Sequence, residues 1–182
     1  MGEAFFDNAG DVPQGLVDVF ARSTIALSLA DIARPDCPLV GVNKPFLDLT
    51  GYAVEAVLNA NCRFLQPAGG AGPVRDRMRQ FIADPEERSG RFLIANVRQD
   101  GTPFLNLLYM TKLTRNGELR FVLGSQFDVG PKNVTQMAMY DAALKEDMRR
   151  LNVLTNETNW LVLGSVEAIA SSHSIIAQAR IE

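Results

Sequence analysis

Three carboxamides carry the first chemical signal in this chain. Asn96, Asn106 and Gln126 sit in runs of alternating polar and apolar residues, the pattern of half-buried strands. Side chains of a strand alternate between its two faces. Phe92, Ile94 and Asn96 therefore share one face of a first run. Phe104, Asn106, Leu108 and Met110 share one face of a second, and Val122, Gly124 and Gln126 one face of a third. An amide left unpaired on such a surface costs about 1–3 kcal/mol. Each amide offers both donors and an acceptor, so three on one apolar concavity suit the edge of a planar, polar ligand. Amides also satisfy one another or the backbone, and these residues alone do not name a ligand.

Other reactive groups are few. Cys62 and Cys37 are the two cysteines. A lone cysteine is most often a small buried hydrophobe, and Cys37 lies between Pro35 and Pro38 in a segment that reads as a turn. A single histidine, His173, removes His-rich metal sites and argues against a Ser-His-Asp hydrolase. It reads as a helix residue rather than a phospho-acceptor, because no Gly-rich phosphate loop accompanies it.

The elements that must position these groups fall into three zones. Residues 1–22 read as an N-terminal helical cap, with Pro13 near a helix start and Leu16, Val17, Val19 and Phe20 on one face. Residues 23–130 read as the core. Strands are expected over Thr24–Ala30 and Leu39–Val42, brief helices between Pro45 and Leu65, and a helix over Val74–Ala83. Three further strands, Arg91–Arg98, Pro103–Leu113 and Leu119–Val129, are divided by Asp100-Gly101 and Asn116-Gly117, which are strong hairpin signals. Two-residue loops at both turns would set the amide faces against each other. Three-residue loops, Gln99-Asp100-Gly101 and Arg115-Asn116-Gly117, align them and are expected. Residues 131–182 read as a helical extension, with Val134–Leu154 carrying Met137, Leu144, Met148 and Leu151 on one side. A second apolar helix is expected over Trp160–Ile181.

Composition bounds the function. The 182 residues are 47% hydrophobic and 21% charged, with a net charge of -3, so one core forms without disulfide staples. No basic surplus exists to neutralise a phosphate backbone, which argues against nucleic acid as partner. No apolar run is long enough to cross a bilayer, no signal peptide is visible, and the cysteine usage fits a reducing compartment. The expectation is a cytoplasmic protein without a membrane or nucleic-acid partner and without a metal.

The segment Asn61-Cys62-Arg63-Phe64-Leu65-Gln66 resembles the signature of LOV domains, the blue-light-sensing branch of the PAS family. The resemblance runs over roughly residues 23–130, taking in Phe46-Leu47-Asp48-Leu49-Thr50-Gly51-Tyr52, Asn96, Asn106 and Gly124-Ser125-Gln126. It implies an α+β fold, a five-stranded antiparallel sheet with helices on one face, to which the N- and C-terminal helices are added. It also implies FMN as cofactor and a light-driven, reversible bond between the Cys62 sulfur and flavin C4a. By matched position, Arg63 and Arg79 bind the phosphate, and Asn61 and Gln66 contact the cofactor beside the cysteine. Asn96 and Asn106 meet the pyrimidine edge, and Gln126 lies near N5. Protonation of N5 turns an acceptor into a donor, which a carboxamide answers by rotating. The chain departs from the family at Asn59-Ala60, Ala26, Ser28 and Val122.

The apolar stripe beyond residue 131 must fold back on the sheet or pair with another chain. The expectation is a homodimer through the flanking helices, whose assembly or geometry light alters, with a downstream signalling protein as further partner. The chain reads as a photosensor without turnover. The alternatives are a light-sensor fragment of a truncated histidine kinase or other effector and, behind it, a flavin redox enzyme.

Overall fold

A computed structural model describes residues 2–130, 137–155 and 160–162. Its centre is an antiparallel sheet of five strands in the order β3-β2-β6-β5-β4. These are β2 (Ala26–Asp31), β3 (Leu39–Asn43), β4 (Ser89–Val97), β5 (Pro103–Arg115) and β6 (Glu118–Asp128). Each lies within two residues of its expected span, apart from end shifts. Two short strands extend the five: β1 (Ala4–Phe6) pairs with β3, and β7 (Trp160–Val162) pairs with Leu113–Arg115 of β5. Neither was expected. Three residues are too few to show a period, and Trp160–Val162 had been assigned to a helix. The rest of that expected helix, and His173, fall outside the described residues.

The two hairpins reach the same parity by different means. In the first, Arg98 N–H donates to Thr102 C=O and Gly101 takes φ +84°, so the loop is Gln99-Asp100-Gly101 as expected. The second loop has only two residues, because Arg115 pairs with Glu118. Asn116 and Gly117 are both left-handed, at φ +53° and +83°, the geometry of a tight hairpin turn. The register then shifts: Thr114 pairs with Leu119, but Leu113 pairs with Phe121. Arg120 is the extra residue, a bulge of the kind that restores alternation. The expected three-residue loop is thus corrected to a two-residue turn plus a bulge. The amides still share a face.

Helices cover both faces of the sheet. On the inner face lie α2 (Lys44–Thr50), α3 (Val54–Val57), a 3-10 turn at Cys62–Leu65, and α4 (Pro73–Ala83). They enclose Leu39, Val42, Phe46, Val57 and Leu65 in one cluster and Phe81, Phe92, Ile94, Leu108, Met110 and Val122 in another. On the outer face lie α1 (Gln14–Arg22) and α5 (Met137–Thr155). Leu16, Val19 and Phe20 of α1 and Tyr140, Leu144 and Met148 of α5 pack with Leu27, Leu29, Leu107, Leu113, Phe121 and Leu123. The amphipathic faces expected for both flanking helices are therefore used within the chain. The side chains of Met137 and Leu151 lie outside the described residues.

Local contacts fix the segment that carries Cys62. Asn43, fully buried, caps α2 by accepting from Phe46 N–H, also accepts from Leu27 N–H, and donates to Ile25 C=O. One side chain thereby joins the end of β3, the start of β2 and α2. Gly51 closes α2 at φ +77°, a conformation glycine adopts at low cost. Asn59 N–H donates to Leu39 C=O, and Leu39 N–H donates to Ala60 C=O. The chain just ahead of Cys62 is thus pinned to the start of β3.

Candidate ligand-binding site

Between the inner sheet face and these helices lies a cavity. Its sheet wall is Ser28, Ala30, Leu39, Ile94, Asn96, Asn106, Leu108, Met110, Val122, Gly124 and Gln126, and its helix wall is Phe46, Cys62, Leu65, Gln66 and Met78. The cysteine and the three amides that parity predicted to converge line one space. Register places them there: Asn106 lies opposite Ile94, and Leu108 lies between Phe92 and Gln126 across the two hairpins.

The amides are buried and only partly paired. Asn106 Nδ2 donates to Asn96 Oδ1 at 2.9 Å, and Asn96 Nδ2 donates to its neighbour's carbonyl, Ala95 O, at 3.1 Å. Gln126 Nε2 donates to Ser28 Oγ at 2.8 Å. Asn106 Oδ1 and Gln126 Oε1 have no partner. Such acceptors are rare in a finished core. Two of them on one cavity wall are acceptors left open to an N–H donor. Mutual satisfaction of the amides, the alternative reading of the sequence, accounts for only part of their capacity.

Cys62 opens the 3-10 turn. Asn61 Oδ1 accepts from Arg63 N–H at 3.0 Å, and Asn61 Nδ2 donates to Asp36 C=O. Asn61 thus shapes the turn and does not line the cavity. The Cys62 side chain is half-buried. Burial pushes its thiol above the usual value, with Arg63 opposing. At neutral pH the group is therefore a thiol, not a thiolate. Among the described residues it is the one titratable side chain on the cavity wall.

The arginines lie outside. Arg63 forms a two-pronged pair with Asp36, with about half of each side chain exposed. The Arg63 guanidinium holds the Asp36 carboxyl below its usual value. Asp36 and Cys37 are both left-handed, at φ +66° and +46°, a local twist that turns Asp36 toward Arg63. Arg79, exposed on α4, reaches Asp76 at 3.4 Å. Each arginine follows directly on a cavity residue, Cys62 or Met78.

Two contributors, Asn43 and Arg98, escaped the sequence reading, and a third, Gly124, was placed by it on the inner face without a role. Asn43 had a signal, since Asn before Lys-Pro-Phe is a helix start. Gly124 lies opposite Ser28, and a Cβ there would come within 2.8 Å of Ser28 Oγ and 2.9 Å of Gln126 Nε2. Arg98, at the end of β4, donates to Leu49 C=O on α2 and pairs with Asp128 at 2.6 Å. That joins a cavity-side helix to the end of β6, and pairing of this kind leaves no periodic trace in a sequence.

Comparison with known proteins adds the following. Residues 29–130 match a family model described as PAS domain. The chain is 39% identical over 109 residues to blue-light-activated histidine kinase 1 of Erythrobacter litoralis, covering 59% of this chain and 30% of that protein. It is 35% identical over 131 residues to phototropin-2 of Oryza sativa, covering 71% of this chain and 14% of that protein. The chain thus spans less than a third of either relative. The crystal structure of a Rhodobacter sphaeroides LOV protein superposes with a TM-score of 0.70 at 30% identity, covering 91% of this chain and 90% of that one.

Proposed function

We propose, for a chain that belongs to the PAS domain family and to its LOV branch of blue-light photoreceptors, that the inner cavity holds FMN and that Cys62 is the photoactive residue. The observation that carries this is one cavity lined by the Cys62 thiol on the helix side and by three buried amides on the sheet side, two with acceptors that no protein group meets. Asn106 Oδ1 suits a ring N–H, with Asn96 holding Asn106 in place. Arg63 and Arg79, exposed next to cavity residues, would hold the phosphate in solvent, Arg63 giving up Asp36 for it. Gln66 supports the turn beside the ring. Asn61, committed to the turn, acts by setting the direction of Cys62.

Bound FMN supplies blue-light absorption and, when excited, a carbon, C4a, that accepts the Cys62 sulfur. The chain supplies the rest. Burial keeps the proton on Sγ in the dark, so Cys62 brings both the sulfur and a proton. Gln126, on the final core strand, responds to a change from acceptor to donor at its neighbour. Output has a short route from there. Ser125 Oγ and Tyr140 Oη of α5 share a buried hydrogen bond of 2.6 Å, and the rings of Phe127 and Tyr140 lie 4.6 Å apart. A shift of β6 at Gln126 therefore bears on the seat of α5. Met139, exposed on α5, adds to a surface on which a second copy docks, and light alters that pairing.

The chain acts as a sensor without turnover, a reading supported by a cavity lining that is apolar and amide-rich beside Cys62. The second reading, a sensor fragment of a histidine kinase or another effector with its own signalling partner, is favoured by the small share of the kinase relative that the chain covers. The test is the visible absorption of the purified protein before and after blue light. A structured flavin band that bleaches and recovers without added substrate, and is static in Cys62→Ala, supports the reading. A colourless protein, or a band indifferent to light, overturns it.

A further inference from the structure

Ser28 is buried on the inner face of β2, where its hydroxyl accepts the Gln126 Nε2–H at 2.8 Å. The pair is diagonal: Gln126 lies directly opposite Ala26, and Ser28 directly opposite Gly124. Diagonal neighbours across two strands are within reach of a long side chain. The small Ala26 and the absent Cβ of Gly124 leave the path open. A Cβ on residue 124 would press on both ends of this one hydrogen bond, 2.8 Å from Ser28 Oγ and 2.9 Å from Gln126 Nε2. Two strands thus keep space for a single polar contact in an otherwise apolar wall.

The contact has a direction. An amide offers N–H at one end and C=O at the other. With Nε2 turned to Ser28, Oε1 remains at the cavity without a partner. We infer that Ser28 is a positioning residue for Gln126: its hydroxyl takes the amide Nε2–H and so presents the Oε1 carbonyl to the cavity as an acceptor for an N–H of the bound ligand. An Ala or Val at this position would leave the amide free to turn either end inward.

Under the FMN reading, on which the kinetic consequence rests, the orientation that Ser28 favours would suit a flavin that presents an N–H at this point and not one that presents an acceptor. Ser28 then stabilises the illuminated form relative to the dark form, and losing it shortens the lifetime of the illuminated form.

The experiment has two readouts. The first is the Gln126 side-chain amide resonance in purified protein under blue light. Ser28→Ala should shift it and speed exchange of its protons with solvent, and Ser28→Thr should restore it. The second is dark recovery of the visible band, expected to be about 2- to 10-fold faster in Ser28→Ala and near wild type in Ser28→Thr. In a Gln126→Leu background, Ser28→Ala should change recovery no further. An unshifted Gln126 resonance, a slower recovery, or an equal effect in the Gln126→Leu background overturns the assignment. A wild type that never bleaches defeats the FMN reading instead, and the Gln126 resonance then decides alone on Ser28.

Discussion

The two faces of the sheet are built from the same strands and end as opposites. The outer face presents Leu27, Leu29, Leu107, Leu113, Phe121 and Leu123 to α1 and α5. Two buried hydroxyl contacts tie α5 down among the described residues, Ser125 of the sheet with Tyr140 and Ser23 at the end of α1 with Asp147. The inner face carries Asn96, Asn106 and Gln126 and keeps two acceptors unmet. The outer face also buries hydroxyls without a partner, on Tyr109 and Thr111, but beneath packed helices, whereas the unmet acceptors of the inner face border a cavity. A period of two lets one strand serve both purposes, each residue belonging wholly to one face. The outer face holds the flanking helices, the inner face waits for a partner, and Ser125, Gln126 and Phe127 connect them in three consecutive residues.

The comparison breaks most visibly at its outer half. Phe20→Ala removes a fully buried ring from that cluster and should cost about 3–5 kcal/mol of stability, read by denaturant unfolding. The flavin band should keep its position. A displaced band would show that the faces are not separable.

On the inner half binding suffers more than stability. Asn106→Leu removes an unmet acceptor but also the donor that meets Asn96 Oδ1. The two effects offset, so stability without flavin should change little, while FMN affinity falls about tenfold or more, measured by fluorescence titration. Equal losses in both would mean that Asn106 is a structural residue.

A smaller effect belongs to the rim. Arg63→Gln removes only an exposed ion pair with Asp36, so stability should stay within about 1 kcal/mol of wild type. FMN binding should weaken and lose part of its salt dependence, with riboflavin binding unchanged. Equal weakening of both flavins would place Arg63 away from the phosphate.

The smallest effect concerns α5. Burial raises the Asp147 carboxyl, with the Ser23 hydroxyl, which donates at 2.6 Å, and Arg150 opposing. A group whose folded value is raised stabilises below its unfolded value and loses that contribution as pH rises through the folded one. Asp147→Asn keeps an acceptor for Ser23 and carries no charge. It should flatten the fall in melting temperature between acid and neutral pH. An unchanged profile would remove Asp147 from the docking of α5.

Much of the inner face was legible. Alternation placed the three amides on one side, and the flanks of Cys62 singled it out from Cys37. Other features were set by contacts that no local pattern encodes. The bulge at Arg120 replaces a loop residue, and either device yields the same parity. β1 and β7 are too short to show a period, and each is a strand only because a longer neighbour has a free edge. The resemblance proposed Arg63 as a phosphate ligand, but no local pattern foretold its pairing with Asp36, which lies beside a left-handed twist at Asp36 and Cys37. Ser28 was visible as a departure. Its bond to Gln126 follows from the register of β2 against β6 and from Gly124 between them.

The central claim is that the inner cavity holds a neutral thiol that light consumes. The light-minus-dark infrared difference spectrum in the S–H stretching region tests this most directly. A thiol band lost on illumination in the wild type, regained in the dark and missing from Cys62→Ala, is the predicted result. An S–H band unchanged by light, or one lost equally in Cys62→Ala, would contradict it.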